Sequence, residues 1–540
     1  MRGPITTWLI VALALLLRLW GLDFGLPMAE SRPDELTIAY QAMKFGTLDL
    51  NPHSFNYPSL FKYLVFGVFG AWYAVGRLIS EFSGQEELLR SFFAADTSFR
   101  LLMRLLVAGF GTLTVALITK QSRGAGLLLA VACLHVRDSH FGVTDIPMGF
   151  FATGAVLAAA RVQSDGGWRM TVVAAMLAGL ATSTKYNAGL LCVPLTVAAL
   201  LGPGAWPDRL RRLIASGGVM VGAFVLGTPF AVLDFPTFYK DFTYELTHLS
   251  TGHRIDIGIG YVHHITESLR HGVGLPLLVG GAIGIVDAFR HSWRRALTLY
   301  AFPLVYYLVI GHGETAFFRY ILPVVPFLCL GAGELADRLG PRIAVLAMMA
   351  LPTAFSSIHV VRLMAAGDTR EAMGAYIEAE VPTDATIVHG GTGSGAPLLQ
   401  RNVANQTREY EARAGRADSA GFRKPDDLRW YQAERPRYDL WVLRKEGLEL
   451  ASQKEVSEVL SDPPEWLLLE EYGLVHYAAV PEAVRELARR RYVKVHSERA
   501  WSGRVSPVFD QQDAFYLPIA GFGGFRRMGP TLHLYHRKDL

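Results

Sequence analysis

FRLLMRLLVAGFGTLTVALITKQSRGAGLLLAVACLHV, residues 99–136, is two apolar runs joined by a short turn that carries Lys120 and Arg123 and no acid. Such runs suit a bilayer interior better than a water-exposed fold. Directly beyond, RDSHFGVTDIPMGFF (137–151) sets Arg137, Asp138, His140 and Asp145 against the next apolar run. Basic turn on one side and mixed-charge turn on the other define two faces.

Working outward, apolar stretches recur at 5–21, 99–119, 124–136, 147–162, 169–184, 188–202, 213–229, 273–288, 296–311, 318–332 and 342–360. The chain has 540 residues, is 51% hydrophobic and only 19% charged, below the usual quarter. These features predict a polytopic α-helical membrane protein with about 11 transmembrane helices. From about residue 361 the composition becomes that of a soluble domain. A helix in DTREAMGAYIEAEVP and strands in ATIVHG, YDLWVL, EWLLLEEYG and TLHLYHR predict a C-terminal soluble α/β domain over 361–540. HGGTGSGAP (389–397) lacks G-x-G-x-x-G spacing and reads as a loop.

Sidedness turns on 58–80, a further apolar stretch. If it spans, residues 81–98, with Glu81, Glu86, Glu87 and Asp96, become cytoplasmic. If it lies on the outer surface, every cytoplasmic turn is basic, including Lys120 and Arg123, Arg161 and Arg169, Arg209 to Arg212, Arg290 to Arg295, and Arg338 and Arg342. The positive-inside rule selects the second register. It predicts a cytoplasmic N-terminus, a first outer loop over 22–98 with amphipathic surface helices, a membrane module over 1–360 and an extracytoplasmic C-terminal domain. The N-terminus, a basic start followed by an apolar run without a small-x-small site, reads as a retained first helix. A net charge of +4 is too small to argue for nucleic acid, and Cys133, Cys192 and Cys329 lack metal-ligand spacing.

That register gathers the polar groups near span ends on the outer face. Asp34 and Glu35 form a carboxylate pair suited to general-base work or cation binding, while Pro33-Asp34-Glu35 also reads as a helix start. Asp145 precedes an apolar helix with Pro147 in its first turn, which makes it a helix cap. Capping does not account for Arg137 and Asp138, which are either an internal ion pair or a binding pair. Lys185 and Arg319 are two outer-face cations, fit for a lipid phosphate or for lipid headgroups. His253, with His248 nearby, is a solvated loop histidine or a metal ligand.

RLWGLDFGLP…RPDE after the first span, NYPSLFKYL (56–64), HVRDSHFGVTDIPMGFF (135–151), STKYN, RYILPVVPFL and FDQQDAFYLPIAGFGGF resemble the protein O-mannosyltransferases, glycosyltransferase family 39, and its bacterial members in particular. These belong to the GT-C superfamily. The resemblance implies a membrane glycosyltransferase taking a hexose or pentose from a polyprenyl-phosphate carrier. The acceptor is a protein, lipid or glycan hydroxyl at the extracytoplasmic face, and the setting a bacterial inner membrane. It implies catalytic roles for Asp34 and Glu35, acceptor or donor binding by Arg137, Asp138, His140 and Asp145, and carrier-phosphate binding by Lys185 and Arg319. It also raises a divalent metal at His253, for which FNYPS supplies Asn56 and no carboxylate. Asp34 as base in a direct displacement inverts the anomeric centre. The rival class is a transporter or flippase of a lipid-linked substrate, against which stand one-sided polar groups and the lack of an internal repeat. A non-catalytic sensor would leave Asp34 unexplained.

Overall fold

The structure is a computed structural model that describes residues 4–28, 31–94, 97–251, 255–391, 394–414, 435–444, 452–471, 473–474, 477–503, 505–513 and 515–539. The chain divides into two compact units. The first comprises Met1–Leu22, Asp34–Leu89 and Ser98–Val361. The second comprises Asp23–Pro33, Arg90–Thr97 and Arg362–Leu540.

The helices run, in chain order, α1 Pro4–Leu19, α2 Pro33–Lys44, α3 Leu60–Leu78, α4 Gln85–Ala94, α5 Thr97–Thr119, α6 Arg123–Ala130, α7 Cys133–Asp138, α8 Asp145–Asp165, α9 Trp168–Thr182, α10 Cys192–Leu201, α11 Trp206–Gly227, α12 Phe230–Leu233, α13 Phe235–Thr251, α14 Gly260–His263, α15 Arg270–Val273, α16 Leu275–His291, α17 Trp293–Gly311, α18 Val325–Arg338 and α19 Arg342–Ala365. Short 3-10 segments, Tyr186–Leu191 and Phe318–Val324, lead into α10 and α18. Each of the eleven predicted spans falls on helical chain. Among the described residues, α5, α8, α11, Phe318–Arg338 and α19 are long and apolar enough to cross a bilayer singly. Gly260–Val273 and Leu275–His291 make a sixth as a pair bent by 110°, at Gly274 with φ +83°. Shorter apolar helices occupy Ile5–Leu19, Trp168–Thr182 and Tyr186–Leu201.

The run predicted as one span at 124–136 is broken between α6 and α7. The freed backbone groups are met by side chains of α19: Ser357 Oγ donates to the Val131 carbonyl at 2.8 Å, and Thr353 Oγ1 accepts the Cys133 N–H at 2.9 Å. An interrupted helix in an apolar bundle needs such partners. Glycines let other helices touch. A Cβ on Gly284 of α16 would run into the Gly331 carbonyl of α18, and one on Gly179 of α9 into the Met220 carbonyl of α11. Helix α3, in the stretch read as a surface helix, buries a stripe of Phe61, Val65 and Phe69 and leaves Val75 and Leu78 exposed.

The second unit holds α20 Thr369–Glu380, α21 Val403–Ala414, α22 Val456–Ser461 and α23 Glu482–Arg491. Its strands are β1 Thr386–Gly390, β2 Gln400–Arg401, β3 Arg437–Leu443, β4 Gln453–Lys454, β5 Trp466–Glu471, β6 Tyr492–Glu498 and β7 Thr531–Arg537. They form one sheet in the order β2-β3-β1-β5-β7-β6, with β4 beside β3. β1 runs parallel to β3 and β5, and β7 antiparallel to β5 and β6. Alternate side chains feed two cores: Ile387 and Leu468 pack with Met373 and Ile377 of α20, while Val388, Leu467 and Leu469 pack with Val459 of α22 and Val484 of α23. Residues 23–33 belong with this unit: Arg32 Nη1 reaches Asp513 Oδ2 at 2.7 Å, and the Phe24 ring packs on Phe515. The glycine-rich loop after β1 has a packing reason. A Cβ on Gly391 or Gly395 would run into the buried carboxylate of Glu470, which accepts from Tyr516 Oη at 2.9 Å.

Candidate active site

Distant segments of the helical unit converge around Asp34. Helix α2 starts at Pro33, whose fixed φ suits a first helical turn, so Asp34 and Glu35 both lie in that turn and their side chains diverge. Asp34 keeps 36% side-chain exposure and faces Arg319, whose Nη2 is 3.4 Å from Asp34 Oδ2. Glu35 turns inward. It is fully buried, accepts from Arg104 Nε at 2.9 Å and Nη2 at 2.8 Å, and takes the Gly142 N–H at 2.8 Å. A carboxylate so enclosed is not presented to a substrate. These surroundings favour a structural role over the expected catalytic one: Glu35 ties the start of α2 to α5 and to the turn before α8.

The cluster 137–145 separates in the same way. Arg137 Nε bonds Asp138 Oδ2 at 2.8 Å, both side chains are buried, and the guanidinium lies against the Phe141 and Phe318 rings. This is the internal ion pair. His140 is buried with Nδ1 2.9 Å from the Val136 carbonyl and Nε2 3.2 Å from the Trp20 carbonyl. All three side chains are buried, so their surroundings favour a structural role over ligand binding. Asp145 is not a helix cap either. Thr144 occupies the cap position and makes no side-chain cap bond. The Asp145 carboxylate instead accepts from Lys185 Nζ at 2.6 Å.

Lys185 thus stands between Asp145 and the ring of Tyr320, 4.6 Å from its centroid. Arg319 stacks on Phe317 at 4.1 Å. Asp34, Asp145 and Arg319 all act electrostatically on Tyr57, and Asp34, Asp145, Arg319 and Glu245 on Tyr320. The Tyr57 phenol is held well above its ordinary range, first by the Asp34 charge and then by burial. A cavity of about 70 Å³ opens here, lined by Asn56, Tyr57, Lys185, Asn187, Glu245 and Tyr320 among others. Burial pushes the Glu245 carboxyl up to about 7; Lys185 and the Asn56 amide oppose the rise, and Asp241 and Asp34 add to it.

The cavity wall is pinned from several sides. Phe55 N–H donates to Asp241 Oδ2 at 2.7 Å, Tyr186 Oη donates to the Phe55 carbonyl at 2.8 Å, and Lys62 Nζ donates to the Ser54 carbonyl at 2.8 Å. Leu60 N–H reaches the Ser183 carbonyl at 3.1 Å. Sequence reasoning missed Arg104, Tyr57, Asp241 and Glu245. Arg104 had a signal, since an ionisable residue inside an apolar run implies a buried partner. Asp241 and Glu245 share one face of α13 by their spacing of four, a weaker sign.

His253 lies outside the described residues. Among those described, no group of three or more His, Cys, Asp or Glu side chains is gathered to hold a metal ion, and no step below runs through one.

Residues 94–232 match the family model described as dolichyl-phosphate-mannose-protein mannosyltransferase. No curated protein sequence matches the chain. Among solved structures it is similar to ArnT from Cupriavidus metallidurans in the apo state, at 14% identity and a TM-score of 0.50 over 99% of this chain and 98% of that one. It is also similar to the same ArnT bound to undecaprenyl phosphate, at 15% identity and 0.49 over 98% and 97%. The archaeal oligosaccharyltransferase AglB from Archaeoglobus fulgidus matches at 13% identity and 0.41 over 72% and 62%. The likeness to apo ArnT shows the fold, and residues 94–232 resemble the protein mannosyltransferase family.

Proposed function

We propose that this enzyme transfers a sugar from a polyprenyl-phosphate-linked donor to an acceptor hydroxyl at the extracytoplasmic face of a bacterial inner membrane, with inversion. The N-terminus is then cytoplasmic and the α/β domain extracytoplasmic, and the acceptor is a protein, lipid or glycan. The observation that carries the reading is an accessible carboxylate, Asp34, that faces Arg319, with Arg319 and the Asp145-held Lys185 both set against the Tyr320 ring. An ArnT structure with undecaprenyl phosphate bound lends the donor class.

In the reaction, Asp34 takes the proton from the acceptor hydroxyl as its oxygen attacks the anomeric carbon. The bond from that carbon to the phosphate oxygen breaks, and polyprenyl phosphate leaves with the electron pair. Lys185 and Arg319 stabilise the charge gathering on the phosphate. At 3.4 Å the Arg319–Asp34 contact is long for a charged pair. An arriving phosphate draws Arg319 off and frees Asp34 as base. Asp145 is a positioning residue that holds Lys185. The cavity is far below the roughly 300–1,000 Å³ of a complete ligand pocket, so binding parts the segments that wall it.

Asp34→Asn tests this in purified, normally folded protein supplied with a labelled polyprenyl-phosphate sugar. Transfer should fall by about 10²–10⁴-fold, the usual contribution of a general base. Glu35→Gln should instead lower the folded yield, since it unpairs buried Arg104. Near-full transfer by Asp34→Asn would overturn the base assignment. Transfer in detergent, with no barrier to cross, also separates this reading from a flippase.

A further inference from the structure

At the other end of the helical unit a second cavity has no part in this chemistry. It measures about 290 Å³ and lies between α5, α8 and α9, walled by Leu117, Phe150, Leu157, Val173 and Leu177 with Gly154 on its floor. Lys120, Gln121 and Arg161 close one end. Sixteen residues separate Arg161 from Asp145 on α8, and sixteen separate Lys120 from Arg104 on α5. At 1.5 Å per residue the polar end is about 24 Å from the catalytic end. From Phe150 to Arg161 the groove follows α8 for about 16 Å.

Lys120 and Arg161 differ from the catalytic cations. Lys185 and Arg319 each have a carboxylate partner, whereas among the described residues neither Lys120 nor Arg161 has one, and both side chains are exposed. Two uncompensated cations and a carboxamide at the mouth of an apolar groove between membrane helices match the two parts of a phospholipid: phosphate at the charged end, acyl chain along the wall. Basic pockets between transmembrane helices recognise anionic headgroups in this way. A zwitterionic lipid brings its own cation to the mouth and gains less.

We infer that the groove between α5, α8 and α9 binds one anionic phospholipid, its phosphate held by Lys120 and Arg161 and one acyl chain laid against Phe150, Leu157 and Leu177. The site is independent of sugar transfer and can fail without touching that reading.

The test uses the full chain in detergent, challenged with phosphatidylglycerol, phosphatidylcholine or inorganic phosphate. Native mass spectrometry reads bound lipid, and thermal shift reads protection. Phosphatidylglycerol should bind and protect, while phosphatidylcholine and inorganic phosphate should not. Replacing both cations, Lys120→Gln with Arg161→Gln, should weaken phosphatidylglycerol binding by roughly tenfold or more. Gly154→Phe, which fills the groove but keeps the cations, should do the same. Unchanged preference in either variant, or equal protection by inorganic phosphate, overturns the proposal. If the variants do not fold, a photoactivatable phosphatidylglycerol decides on the wild-type chain. Crosslinks at 117–121, 150–161 or 173–177 support the site, and crosslinks only elsewhere defeat it.

Discussion

Asp34 and Glu35 are adjacent, of one chemical kind and on one helical turn, yet they do different work. Successive helix residues point about 100° apart, so one carboxylate reaches the open site and the other goes into the bundle. There Glu35 meets Arg104, both side chains fully buried. Breaking such a pair costs about 3–5 kcal/mol, which explains its structural rather than chemical use. Glu245 is the residue whose ionisation the site should report. Its carboxyl titrates near 7 in the folded protein against an ordinary 4.5. Below 7 it is neutral; above 7 it adds a negative charge beside Lys185 and Asp34. Donor phosphate binding should therefore weaken as pH rises through 7, seen as a rising donor KM, and Glu245→Gln should remove that inflection. The same group also acts on stability. The folded chain keeps a proton that the unfolded chain has lost between pH 4.5 and 7, so its contribution is greatest below 4.5 and declines as pH climbs through 7. An inflection that survives in the Gln variant assigns it to another group.

Helix packing in the membrane unit rests on close backbone approach. Lipid supplies no hydrophobic drive between helices, so small residues at crossings do much of the work. Gly284 shows this, because even one methyl group there would meet the Gly331 carbonyl. Gly284→Ala should cost about 1–3 kcal/mol through overpacking. Gly222→Ala on α11, with nothing within 4 Å of the added Cβ, should be neutral or slightly stabilising. Heating both in detergent and following the monodisperse fraction tests the pair; equal loss would discount the Gly284 crossing. Helix boundaries also show what was legible. The apolar runs marked the long bilayer-length helices but not α2, α4 or α12 to α14, and the break between α6 and α7 did not show, because VACLHV is as apolar as its neighbours. It depends on Ser357 and Thr353, more than two hundred residues away. β6 was missed too: YVKVHSE alternates, but its outward residues are mostly exposed, and its pairing with β7 alone makes it a strand.

Across the whole molecule, sidedness is the property with most at stake for function. In a Cys192→Ser background, which removes an exposed thiol, Asp49→Cys should label with an impermeant maleimide from the outer side. Gln121→Cys should label only after the inner face is opened. The reverse pattern would turn the site inward, where nucleotide sugars are available and a lipid-linked donor is no longer required.

By itself the sequence determined the class of the molecule. Apolar length, the basic turns and the α/β patterning of the tail are local or compositional properties, and they are readable without coordinates. It also pointed to distant segments that meet: Asp145 with Lys185 and Asp34 with Arg319. Tertiary structure alone decided how the charges pair. Asp145 went to Lys185 and Glu35 to Arg104, which left Asp34 part-exposed and facing Arg319. The physical reason is that the cost of a buried charge depends on its partner, and a partner forty or seventy residues away is selected by packing, not by neighbouring sequence.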